Sequence, residues 1–409
     1  MVNSFISSLN IPAQVILSLS LMLSAGFILT RITKLIKLPN VTGYILAGVL
    51  IGPSAFNFVP REIAENMGFI TDISLAFIAF GIGRYFKTRT LRKNGKSIII
   101  ITLCEALTAA GIITFVMYLG FGLPLEFSLL LGAIGSATAP ASTIMTVRQY
   151  HAKGDFVDTV LQIVALDDAV SLISFSLCAA VIQVVWIGEG LKIDSLILPL
   201  IFNILSVIAG GFLGFISGKL TGPNRSRDHR LIVISALVFF LTGLCSALGI
   251  SSLLACMVMG AVFVNTKGNV KVFKQISGFT PAINTLFFVL SGMRLNISSL
   301  KHVGIIGITY FFVRIAGKYT GSWIGAKLTN TEPEIRKYLG LALVPQAGVS
   351  IGLAVLGQRI LPYEVGNMLM TIILSSGIMY EIAGPLCAKK ALHLSGSFKK
   401  PDDRKKTEP

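Results

Sequence analysis

The sequence predicts an all-α polytopic membrane protein of about 13 transmembrane helices, built as an inverted repeat with two discontinuous, crossing helices. Three observations lead there. Only 13% of the 409 residues are charged and 53% are hydrophobic, with a mean hydropathy of +0.78, whereas a soluble chain carries about 25% charged residues. The apolar residues come in runs of ~20, long enough to cross a ~30 Å hydrocarbon layer, and not in the alternating ~10-residue segments of a membrane barrel. Short motifs also recur between the two halves at nearly constant offset.

Thirteen apolar segments follow one another over residues 11–30, 41–57, 67–83, 97–120, 124–147, 157–186, 195–218, 231–249, 251–265, 280–293, 303–326, 335–358 and 362–388. A basic tail over 391–409 (with KKPDDRKK) lacks the apolar content to pack. The distribution of charge tests the count. With the N-terminus outside, the internal loops and tail hold 28 of the 35 Lys and Arg, and the external loops hold five: Arg61, Lys192, Arg294, Lys301 and Arg359. One helix too many or too few would scramble this asymmetry, so a plasma-membrane protein with its N-terminus outside and its C-terminus cytoplasmic is expected. The net charge of +16 then reflects loops facing anionic lipid and the cytoplasm, and nucleic acid is not an expected partner. The five cysteines all lie in apolar segments without a CxxC pair, and the four histidines show no metal-ligand spacing. The first fourteen residues have no charged n-region, so no cleaved signal peptide is expected.

The repeats order the segments. LAGVLIG (46–52) echoes LACMVMG (254–260) at an offset of 208, and LAFIAFG (75–81) echoes LFFVLSG (286–292) at 211. TAPAS (138–142) lies opposite VPQAG (344–348), with the prolines 205 apart. Segment n thus maps onto n + 7. Seven is odd, so the second half is inverted, as in secondary transporters. One transmembrane domain over 1–390 results, with repeat one at about 11–186, a linker helix at 195–218 and repeat two at about 231–388.

Asp167 and Asp168, in VALDDAVSL, carry the first chemical signal. Each charge near a helix centre costs ~2.5–3.5 kcal/mol on insertion scales, and neighbours on a helix point about 100° apart, so the pair can serve two partners. A cation or proton site is the reading that justifies such a cost. The second signal is Pro140 in GSATAPASTI and Pro345, followed by Gln346, in LVPQAGVSIG. Proline removes a donor and clashes with the preceding turn. Their matched positions predict two broken helices whose freed ends and carbonyls suit a cation. The third is Arg314 and Lys318, four apart on one face of the eleventh segment. Arg314 lies thirteen residues from Lys327, and Asp168 thirteen from Asp155, which places both roughly 20 Å from the inner ends of their helices. A buried acid and a buried base at one depth suggest a pair. Glu105, at the position repeat-related to Arg314, and Glu381 are candidate partners or proton relays, with lining or packing as the alternative.

Other classes lack support. No GxxxxGK[ST] occurs, which speaks against nucleotide-driven transport, and SGKL (217–220) lacks that spacing. No TVGYG-like filter is present. An intramembrane aspartyl protease needs two aspartates from separate helices facing one water; here they are adjacent on one helix. The protein is therefore not expected to be an enzyme, and no cofactor is expected. A Na⁺-coupled symporter of an organic anion would need a roomy polar cavity, and a passive channel would show flux without proton coupling.

Four motifs in order resemble the monovalent cation:proton antiporter superfamily, specifically its cation:proton antiporter-2 branch with the sodium/hydrogen exchanger domain. They are LPNVTGYILAGVLIGP (38–53), ATAPAST (137–143), LDDAVSL (166–172) and VPQAGVSIGL (344–353). The resemblance implies the sodium/proton antiporter fold, a dimerisation bundle (hence a homodimer) beside a mobile core bundle, and Na⁺, or Li⁺ or K⁺, exchanged for H⁺. It implies that Asp168 takes either cation or proton, that Asp167 pairs with the basic residue of the eleventh segment, Arg314 before Lys318, and that Thr138 and the backbone near Ala139 line the site. The double-acid form resembles electrogenic members. Arg84 in FGIGRYF stands where the branch often carries an acid, and no C-terminal nucleotide-binding domain follows, so regulation of that kind is not expected.

Overall fold

A computed structural model describes residues 6, 9–35, 40–84, 86, 88–139, 143, 146–147, 150–186, 193–222, 224–248, 252–266, 271–295, 297–346 and 349–397. Among them there are 16 α-helices and no strand. In order these are α1 (Ile11–Leu35), α2 (Asn40–Ile51), α3 (Arg61–Asn66), α4 (Gly68–Gly83), α5 (Thr88–Phe115, continued by a π turn over Val116–Gly120), α6 (Leu125–Ser136), α7 (Asp155–Trp186) and α8 (Ile193–Leu220). There follow α9 (Arg227–Ala247), α10 (Ser252–Asn265), α11 (Lys271–Phe279), α12 (Pro281–Met293), α13 (Ile297–Leu328), α14 (Pro333–Ala342), α15 (Val349–Ile360) and α16 (Tyr363–Leu394).

Every predicted apolar segment contains a helix, but the boundaries moved for physical reasons. The second segment stops at Ile51 because Gly52-Pro53 follows and proline cannot continue a helix. The fourth begins at Thr88, within a basic stretch that hydropathy alone passes over. The fifth ends its first helical piece at Ser136 and the twelfth is split into α14 and α15. Two short helices, α3 and α11, were not foreseen. α11 buries Val272, Phe273 and Ile276 on one side and meets α12 at a 51° bend, at the point where Pro281 starts the new helix. By length and composition, five helices of the described residues can cross a membrane alone, or seven if each bent pair is one span. Breaks and bends, and 12–14-residue helices such as α2 and α10, account for the shortfall against thirteen.

Packing divides the chain into two compact units, each drawn from both sequence halves. The first takes residues 1–88, 179–302 and 355–374. In it α2 crosses α12 and α4 crosses α10 backbone to backbone. A Cβ at Gly48 would stand 2.0 Å from Val289 O, and one at Gly260 would stand 2.2 Å from Phe80 O, so only glycine fits at either crossing. The sequence offsets carry α2 onto α10 and α4 onto α12, so each crossing is the repeat image of the other. Met22, Ala47, Val59, Met67, Val289 and Leu290 fill the core around the first crossing. Arg359 anchors the 355–374 segment to α4: Nη1 lies 2.9 Å from Asp72 Oδ1 and Nη2 donates to Gly68 O at 3.2 Å.

The second unit takes residues 89–178, 303–354 and 375–409. Ile98, Ile101, Val160, Ile163, Val164, Ala326, Leu339 and Leu343 form its apolar core. This unit holds both helix breaks and both aspartates.

Candidate functional site

The site begins with two interrupted helices. α6 stops at Ser136, and Ala137 is extended (φ −65°, ψ 145°). α14 stops at Ala342, and residues 344–346 are non-helical before α15 starts at Val349. The residue before a proline is pushed out of helical geometry, which accounts for Val344 before Pro345 and Ala139 before Pro140. Pro140 itself lies outside the described residues. The two breaks are bonded to each other: Ala139 N donates to Pro345 O at 2.9 Å.

Interrupting a helix leaves carbonyls without intrahelical partners, and α13 supplies the donors. Tyr310, Arg314 and Lys318 follow one another at spacings of four on one face, and all three are fully buried. Arg314 donates from Nε to Gly135 O at 2.7 Å, from Nη2 to Ala137 O at 2.6 Å and from Nη1 to Val344 O at 2.8 Å. Its guanidinium therefore joins the C-terminal end of α6 to the break after α14. It also lies over the Tyr380 ring, 4.7 Å from the centroid, and Tyr380 donates to Phe311 O at 3.1 Å. Gln346 Nε2 donates to Ile134 O and to Tyr310 Oη, each at 3.1 Å.

Lys318, not Arg314, pairs with the aspartate. Its Nζ lies 2.6 Å from Asp167 Oδ2 and 2.7 Å from Glu105 Oε2, and it also donates to Ser136 O. The expected preference for Arg314 as charge partner fails because its planar fork is already engaged by three carbonyls of the breaks, a geometry a single ammonium could not satisfy. Thr138 Oγ1 donates to the same Asp167 oxygen that Lys318 holds. Asp168 is different. Both carboxylates are completely buried, yet neither oxygen of Asp168 has a hydrogen-bond partner among the described residues. One residue along the helix turns the side chain by about 100°, which separates a paired acid from an unpaired one.

The structure thus gathers Asp167, Thr138 and Lys318 into one bonded group beside Asp168, and places Arg314, Ala139, Pro345 and Gln346 in the lattice of the breaks. Glu105, left open between partner and packing roles, is a partner of Lys318. The side chain of Glu381 lies outside the described residues. Tyr310 and Tyr380 were not singled out in the sequence; the spacing of four from Tyr310 to Arg314 to Lys318 was a readable signal for the former.

Glu105 reaches Lys318 because α5 and α13 touch at their backbones. A Cβ at Gly321 would lie 2.6 Å from Glu105 Cα and 2.7 Å from Cys104 O. Neither of these atoms can move aside without moving α5. Gly321→Ala is expected to force the helices apart at a cost of about 1–3 kcal/mol, read as a lower melting temperature of the purified protein in detergent.

Comparison with known proteins gives the family and the fold. The sodium/hydrogen exchanger transmembrane family matches residues 19–384. Curated relatives include the K(+)/H(+) antiporter subunit KhtU of Bacillus subtilis (strain 168), 23% identical over 80% of this chain and 82% of that protein. Another is probable Na(+)/H(+) antiporter 2 of Methanocaldococcus jannaschii, 26% identical over 69% of this chain and 70% of its own length. In fold, the chain superposes on the sodium proton antiporter MjNhaP1 from Methanocaldococcus jannaschii with a TM-score of 0.76 at 20% identity, covering 93% of this chain and 99% of that one. The chain belongs to the sodium/hydrogen exchanger transmembrane family.

Proposed function

We propose that the protein is a secondary active antiporter that exchanges a monovalent cation, Na⁺ first and Li⁺ or K⁺ as alternatives, for H⁺ at Asp168. One observation carries the reading: a wholly buried carboxylate, with neither oxygen hydrogen-bonded among the described residues, stands next to one that is held by an ammonium and a hydroxyl. Removing a carboxylate from water favours its protonated form, and a cation placed against it favours the ionised form. Cation and proton therefore compete for one group. That competition couples their fluxes, provided the empty, ionised site does not cross the membrane. Thr138, whose hydroxyl donates to the neighbouring Asp167, and the backbone near Ala139 are the further oxygen ligands in this reading. Asp167 is neutralised by Lys318 in one state and by a proton in the other, so two protons exchange against one cation and the cycle moves charge. Alternating access follows from movement of the unit that carries the site.

The same reading places the protein in the plasma membrane as a homodimer with its N-terminus outside, on the strength of the charge asymmetry and the family. The organic-anion symporter reading is less well supported: the polar centre is filled by Arg314, Gln346, Tyr310 and Tyr380, all 3% exposed or less.

The test uses purified protein in liposomes with an internal pH dye. Chloride salts of Na⁺, Li⁺ and K⁺ are added in turn, with the membrane potential free or clamped by an ionophore. Cation-driven proton flux that accelerates when the potential is clamped is expected. Proton-independent cation flux would replace the reading with a channel, and an equal rate in both conditions would remove the two-for-one stoichiometry.

A further inference from the structure

The exchange just proposed leaves a buried acid, Glu105, unused. Glu105 is completely buried, and its Oε2 stands 2.7 Å from Lys318 Nζ, while Asp167 Oδ2 stands 2.6 Å from the same nitrogen. We propose that Glu105 is the standing counter-ion of Lys318, a positioning residue that keeps the ammonium charged and in place whenever Asp167 lets go of it. The proposal rests on the exchange reading, in which Asp167 must change partner in every cycle.

The balance of charge supports it. Arg314 already answers the carbonyls at the end of α6 and at the break after α14. Each helix C-terminus carries roughly −0.5 of an elementary charge, so the guanidinium is compensated there and offers nothing to Glu105. Lys318 is then the cation available to both acids. Lys318 Nζ donates hydrogen bonds to Asp167 Oδ2 and Ser136 O, while Glu105 meets it as an ion pair, by charge and distance. If Asp167 were its only carboxylate, releasing Asp167 would strand a cation in a water-poor interior, where an unpaired charge is strongly disfavoured. With Glu105 in place the lysine passes from two carboxylates to one and is never stranded. The second carboxylate, redundant while Asp167 is bound, makes the release of Asp167 reversible.

A melting-temperature cycle on the full-length protein in detergent tests this without any assay of transport. Asp167→Asn and Glu105→Gln should each lower the melting temperature by roughly 2–4 °C, because one carboxylate still faces Lys318. The double variant should fall by clearly more than the sum, and adding Lys318→Met should restore it. If the double variant fails to fold, recovery of folded protein in the triple variant supports the proposal. Additive losses, or no recovery in the triple variant, overturn it. In liposomes, Glu105→Gln should lower the maximal cation-driven proton flux about tenfold while the KM for the cation changes little, and Glu105→Asp should regain most of the rate. An unchanged maximal rate, or a higher KM with the rate intact, also overturns it. A wild-type protein inactive with every cation would remove the exchange reading, while the melting cycle would still decide what Lys318 leans on.

Discussion

Asp168→Asn should abolish cation-driven proton flux in liposomes while leaving the protein folded and at least as thermostable as the wild type. The two side chains have nearly the same shape, so packing in this fully buried position is preserved. What disappears is the charge. At an effective dielectric of ~20, a carboxylate about 3 Å from a monovalent cation contributes roughly 5 kcal/mol, more than three decades in affinity. The amide cannot carry the proton either, so both ions lose their carrier. Stability should move the other way. Neither oxygen of Asp168 is hydrogen-bonded among the described residues, so the wild-type carboxyl spends desolvation energy without a structural return, as residues kept for function do. A second readout separates lost binding from lost movement. A cation that binds only the folded wild type raises its melting temperature with concentration, and this rise should vanish in Asp168→Asn. Persistent cation-driven proton flux, or a persistent cation-dependent rise in melting temperature, would move the site elsewhere.

Much of this centre was legible in the sequence because bilayer physics is severe. Charges inside apolar segments are few and costly, so Asp167, Asp168, Arg314, Lys318 and Glu105 stood out without any contact being known. The prolines marked the breaks because nothing else in those segments forces a helix to stop. Partner choice was not legible. Counting residues from Lys327 and Asp155 measures depth along a helix axis, but Arg314 and Lys318 differ by only one turn and share a face. Which of them meets Asp167 depends on where the carbonyls of the two breaks fall against α13, and that is set by packing between helices far apart in sequence. The glycines at 317, 321 and 325 held part of the answer. They mark the face of α13 that approaches Ala109, Glu105 and Ile101, and Lys318 stands beside that stripe. The mixed ancestry of each compact unit was also hidden, since the offsets 208 and 211 relate repeats without saying that their helices interleave.

Arg314→Met should be the most destabilising single substitution at this centre, and its defect should not depend on Asp167. The guanidinium satisfies Gly135 O, Ala137 O and Val344 O at once. Each buried carbonyl deprived of its donor costs about 1–3 kcal/mol, and the two interrupted helix ends lose their compensating charge. The total, roughly 5 kcal/mol, is comparable with the whole stability of many folded domains. Arg314→Lys keeps the charge but not the fork, so it should fall between, about 2–4 kcal/mol below wild type. Melting temperatures in detergent should therefore rank Arg above Lys above Met. Suppression tells this role from that of an ion-pair partner. Neutralising Lys318 leaves Asp167 and Glu105 facing each other, so Asp167→Asn should relieve Lys318→Met. The same Asp167→Asn should do nothing for Arg314→Met, because the groups left bare there are backbone carbonyls and no change at position 167 supplies them a donor. Rescue of Arg314→Met by Asp167→Asn would return Arg314 to the aspartate and displace Lys318 from it.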